Sequence, residues 1–237
     1  MRIPERPLLL SHLQPYVSEI APQKVTGEIP PVIARQSEGG SLTANTGVRW
    51  HSQSMPLPVV LMPFPSHQPA NTEDKELAFH HFLRQALSQA LREWELASVD
   101  GVTSTPPVTF KLLPFANPDL VAEKGILITF SSQTTLGRDY EVGHTQREVD
   151  TQGWIHRVTI TLMDNPEIDK HLDSKKAQQQ RWKTTLLHEI GHALGLEHGS
   201  AEKAVMHHRG WKNQALHPED IAAIRQLYPP TAGNTLI

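Results

Sequence analysis

The sequence predicts an α+β protein, an α/β sandwich of helices on a mixed sheet. Three observations predict it. Short apolar runs rich in β-branched residues recur along residues 57–163. A long helical stripe separates the first run from the others. Two further helical segments follow the last run. Runs and stripes in the order strand, helix, several strands, helix, helix suit a sheet covered by helices.

The first strand is predicted over Leu57–Met62, a compact apolar run suited to a buried position. The first helix follows. Phe79, Phe82, Leu83, Ala86, Leu87, Ala90, Leu91 and Trp94 recur at intervals of three and four and mark one apolar face. Asn71 or Thr72 is placed to cap it, and Glu73 and Asp74 suit its positive end. Strands are then predicted over Val108–Leu113, Gly125–Ser131 and Ile155–Met163. A second helix spans about Lys175–Leu194. A third starts at Pro218, a residue at home in a first helical turn, and ends near Leu227 before Pro229-Pro230.

Eleven of the 19 prolines lie in the first 70 residues. Proline removes backbone donors and fixes φ, so residues 1–46 read as an extended arm, linker or pro-like segment. Residues 47–229 form the expected folded domain, and 230–237 a short tail. The chain of 237 residues is long enough to bury a core without disulfides. A net charge of -3 argues against a nucleic-acid partner. No apolar run approaches the roughly 18–20 residues a membrane span needs. No signal peptide is visible in MRIPERPLLLSHLQPYVSEI, so the chain as encoded reads as cytoplasmic unless its start is mis-assigned.

Histidine is abundant at 14 residues, and cysteine is absent. A transition metal would therefore be held by imidazole and carboxylate alone. His188-Glu189-Ile190-Gly191-His192-Ala193-Leu194-Gly195-Leu196-Glu197-His198 is the decisive segment. Residues four apart share a helix face, so His188 and His192 can present two imidazoles to one ion. Glu189 projects beside that ion, where a general base for a metal-bound water belongs. Gly195 can take the left-handed conformation that ends a helix and reverses the chain. That reversal would bring in His198 as third ligand and leave a fourth position open, as in a catalytic zinc site.

This segment, with Met206 eight residues after His198, resembles the metzincin zinc peptidases and most of all the matrixins. Pro218–Tyr228 matches their closing helix, and Arg49-Trp50 with the strands and long helix extends the likeness to about 49–228. The resemblance implies a twisted mixed sheet with two long helices. It also implies a small C-terminal subdomain with a methionine turn at Met206 and a closing helix. It implies one catalytic zinc, Glu189 as general base, and a polypeptide substrate bound as an added strand near Thr134–Val149. It points to an extracellular or periplasmic setting if the start is mis-assigned. The chain lacks the cysteine with which many matrixins keep themselves latent, and their pattern for calcium and a second zinc is not evident. Neither ion is expected. A monomer is expected.

His208, two residues after Met206, is either an auxiliary ligand or donor or an exposed turn histidine. Trp211 lies where the family builds its specificity-pocket wall. Trp94 and Trp182 read as core anchors. Glu197 is either a solvated acid or a group that orients a neighbour. The remaining histidines, among them His51, His144, His156, His207 and His217, lack a partner at ligand spacing. Two other functions compete with a zinc endopeptidase: a non-catalytic zinc module that grips peptides, and a different metal hydrolase such as an amidase.

Overall fold

The computed structural model describes residues 47–64, 73–100, 105–114, 116–131, 142–163, 174–208 and 213–229. The N-terminal segment 1–46, the tail 230–237, the caps Asn71 and Thr72, and Trp211 lie outside the described residues.

The strands are β1 (Arg49–Trp50), β2 (Leu57–Leu61), β3 (Phe110–Leu112), β4 (Gly125–Ser131), β5 (Gly143–Val149) and β6 (Trp154–Met163). The helices are α1 (Glu73–Ser98), α2 (Lys175–Ala193) and α3 (Pro218–Leu227). The strands form one mixed sheet in the order β1-β6-β4-β2-β3, with every neighbouring pair parallel. The exception is β5, which pairs antiparallel with β6. The predicted α+β class, mixed sheet and three helices are all present. Each predicted strand falls within a residue or two of its expected bounds. Two strands carry no strand signal in the sequence, the two-residue β1 and β5, which lies in the irregular stretch 134–149 where the sheet edge was expected. The β5 sequence, GHTQREV, has a single aliphatic residue and no apolar alternation, so the usual strand signal is missing.

The core forms where hydrophobic periods meet. Val59, Ile126, Ile128, Val158 and Ile160 from the parallel strands are fully buried. Leu83, Ala86, Leu87, Ala90, Leu91 and Trp94 of α1 are buried as the stripe predicted. Trp94 and Trp182 are both core residues. Trp94 Nε1 donates to the Leu187 carbonyl (2.9 Å), tying α1 to α2. Trp182 sits in an edge-to-face cluster with Phe64, Phe79 and Phe130. Ser174 caps α2 by accepting from the Ala177 N–H (3.2 Å).

The end of α2 is held from two distant parts of the chain. Trp50 Nε1 donates to the Ala193 carbonyl (2.9 Å), and the Tyr228 hydroxyl donates to the Leu194 carbonyl (2.7 Å). The same Tyr228 oxygen accepts from the Trp50 N–H (3.0 Å). These side chains satisfy carbonyls that a helix end leaves without intrahelical partners. Burial raises the Tyr228 phenol above its usual range, so it stays protonated and able to donate.

Candidate metal centre

Gly195 does what the sequence suggested. Its φ is +105°, the left-handed conformation that turns the chain after α2. It also passes hard against the strand entry, since a Cβ there would collide with the Val48 carbonyl oxygen. The reversal carries His198 back to the face of α2 that holds His188 and His192. The three Nε2 atoms form a near-equilateral triangle: 3.1 Å from His188 to His192, and 3.2 Å from each to His198. Among the described residues this is the one group of three potential ligands.

The other ring nitrogens explain why these Nε2 atoms point at each other. His188 Nδ1 lies 2.6 Å from the Val205 carbonyl, and His192 Nδ1 lies 2.8 Å from the Leu196 carbonyl. A carbonyl only accepts, so each Nδ1 carries the proton. Each neutral ring then turns an Nε2 lone pair toward the centre of the triangle. Burial lowers the pKa of His188. Burial, and then the neighbouring His188, hold His192 well below the usual range. The same two causes push His198 down to about 4. Lone pairs converging at 3.1–3.2 Å repel unless a cation lies between them. A tetrahedral zinc with nitrogens at about 2.0–2.1 Å needs them about 3.3–3.4 Å apart, so the triangle fits the ion closely.

Met206 is fully buried beneath the site. Gly191 lets it approach, because a Cβ there would collide with Met206 Sδ and lie 2.8 Å from Trp94 Cζ2. The Met206 turn is suspended from α3. Asp220 accepts from the Val205 N–H (2.8 Å), the Met206 N–H (3.1 Å) and the His217 N–H (2.8 Å). Asp220 is fully buried, so three backbone donors stand in for its lost hydration. A line of contacts runs from α3 through Asp220 and Val205 to His188. Its only trace in the sequence is the Pro218-Glu219-Asp220 helix start, which reads as an ordinary acidic first turn.

Glu189 is buried at 3% exposure, beside the triangle in sequence and facing β5. Thr145 Oγ1 donates to Glu189 Oε2 (2.5 Å). Arg147, two residues further along β5, forms an ion pair with Glu197, and its guanidinium also reaches the His192 carbonyl (3.5 Å). Glu197 therefore ties the ligand loop to the sheet. His208 is exposed, lies against His207 with ring centroids 4.1 Å apart and the rings tilted by 46°, and stands outside the three-histidine group. Several remaining histidines have local roles. His51 accepts from the Gln53 N–H (3.1 Å), His156 meets Asp150 (3.2 Å), and His217 accepts from the Glu219 N–H (3.4 Å).

The matrixin family model matches residues 71–229, two thirds of the chain and all of the site. The protein belongs to the matrixin family. Archaemetzincin from Methanopyrus kandleri is similar at 13% identity and a TM-score of 0.40. The match covers 72% of this chain and 94% of that one. A matrixin is a zinc metallopeptidase, and the three converging nitrogens form a group that could hold a metal ion.

Proposed function

We propose that this matrixin is a zinc-dependent endopeptidase in which His188, His192 and His198 hold the metal and Glu189 is the general base. The observation that carries the reading is the Nε2 triangle, its lone pairs aimed inward by two backbone carbonyls, with a buried carboxylate next to it. Zinc, when bound there, would acidify a water and polarise the scissile carbonyl. Glu189 takes a proton from the attacking water and returns it to the leaving nitrogen as the C–N bond breaks. Met206 supports the ligands from below. The substrate is a polypeptide lying extended along β5, which has no second strand partner among the described residues. Trp211 is proposed as a wall of the pocket that selects a substrate side chain, and His208 as an auxiliary donor at the rim.

The test is cleavage of an unfolded protein by the zinc-loaded chain, with and without a chelator. Glu189→Ala is expected to keep one equivalent of zinc and lose about 10²–10⁴-fold in kcat. Full activity in that variant overturns the base assignment. Zinc at one equivalent with no hydrolysis by the wild type favours a peptide-gripping module, and hydrolysis confined to non-peptide amides favours an amidase.

A further inference from the structure

The row of β5 side chains facing α2 is Gly143, Thr145 and Arg147, spaced by two as a strand requires. The first two both meet Glu189. The Thr145 hydroxyl donates to Oε2 (2.5 Å) and lies 3.3 Å from the Glu189 carbonyl oxygen. At Gly143 the carboxylate presses against the strand: a Cβ there would lie 2.6 Å from Oε1 and 2.9 Å from both Cδ and Cγ. Glycine inside a strand weakens it and is retained where something must approach the backbone closely. Here that group is a carboxylate 3% exposed. Threonine is restricted at χ1, which limits the positions its hydroxyl can take.

We propose that Gly143 and Thr145 are positioning residues that form a cradle for the Glu189 carboxylate, with Gly143 making the room and Thr145 fixing the rotation. The inference rests on the assignment of Glu189 as general base and adds the device that aims it. A carboxylate turns freely about its last bond in water. In the cradle one oxygen is tied to Thr145, and the plane of the group is set by the strand. The base is therefore oriented before substrate arrives, which lowers the cost of reaching the geometry of proton transfer. The antiparallel pairing of β5 with β6 puts Thr145 opposite Ile160, a fully buried residue, so the cradle is anchored on the core.

The experiment compares Thr145→Val, Thr145→Ser and Gly143→Ala with wild type in kcat, KM, zinc content and melting temperature. Valine keeps the shape and removes the donor. It is expected to lower kcat about 10- to 100-fold, the loss of one hydrogen bond to a charged group. KM should stay within about twofold, and zinc at one equivalent. Serine is expected to restore kcat to within about threefold of wild type. Gly143→Ala is expected to lower kcat by displacing the carboxylate, again with zinc retained. Crystal structures of the zinc-loaded Val and Ala variants should show the Glu189 carboxylate rotated away from its wild-type position. Wild-type kcat in Thr145→Val overturns the cradle alone. A fall in kcat that tracks lost zinc or lost melting temperature, or that serine fails to rescue, overturns it in favour of a merely structural role. A zinc-loaded wild type that cleaves nothing overturns the cradle together with the peptidase reading.

Discussion

The helices α1 and α2 enter the same core in different ways. α1 buries a stripe of apolar residues and leaves Gln85, Ser88, Gln89, Arg92 and Glu93 exposed. It is the amphipathic helix that hydrophobic burial favours. α2 is buried on all sides from Thr184 to Gly191, and that stretch includes Thr184, Thr185, His188 and Glu189. Burying such groups costs free energy unless each finds a partner. Thr184 donates back to the Gln180 and Arg181 carbonyls of α2 itself, but His188 and Glu189 find partners outside the helix, the Val205 carbonyl and the Thr145 hydroxyl. The difference separates a helix that holds the fold together from one whose buried polar groups the rest of the fold holds in place.

That contrast can be broken at its supports. The largest expected effect is at Asp220. Asp220→Ala strands three backbone donors, each worth about 1–3 kcal/mol when buried and unmet. It should cost about 4 kcal/mol or more in denaturant unfolding. It should also weaken zinc binding, because Val205 orients His188. A variant that loses stability but keeps wild-type zinc affinity would show that the Met206 turn does not orient the ligand. Next is Leu87→Ala, a cavity on the α1 side, expected to cost about 3 kcal/mol. Zinc affinity and kcat per folded molecule should be unchanged. A parallel loss of zinc affinity would erase the distinction between the two helices. The smallest is Gly191→Ala. Overpacking against Met206 costs about 1–3 kcal/mol, and alanine returns about 1 kcal/mol of helix propensity. The net loss should be about 1 kcal/mol, seen as a lower melting temperature with the site still able to load zinc. A stabilised variant would mean that Met206 has room to move.

Much of this was legible in the linear chain, and the reasons are local. The α1 stripe, the apolar runs of β2, β4 and β6, and the proline at the start of α3 each carry their period or their stop signal within one segment. The candidate ligands were legible for the same reason: a helix places residues four apart on one face, and Gly195 allows the turn that returns His198. Thr145 and Gly143 were not legible. A threonine and a glycine in a polar stretch carry no mark of which carboxylate they will face. Asp220 was hidden in another way, because an acid in a first helical turn has a sufficient local explanation in the helix dipole.

The sequence by itself therefore determined the elements, the absence of any thiolate ligand, and the three histidines with their neighbouring acid. Those properties depend on residue type and on spacings of a few positions, which backbone geometry converts directly into shared faces. Only the tertiary structure decided how the site is aimed. It brought the Val205 carbonyl to His188, 17 residues away, and Thr145 to Glu189, 44 residues away. It seated Met206 against Gly191 and hung the turn beneath the metal centre from Asp220. Hydrogen-bond geometry and close packing act over a few ångströms, and residues so far apart in sequence come within that range only when the sheet and helices have assembled.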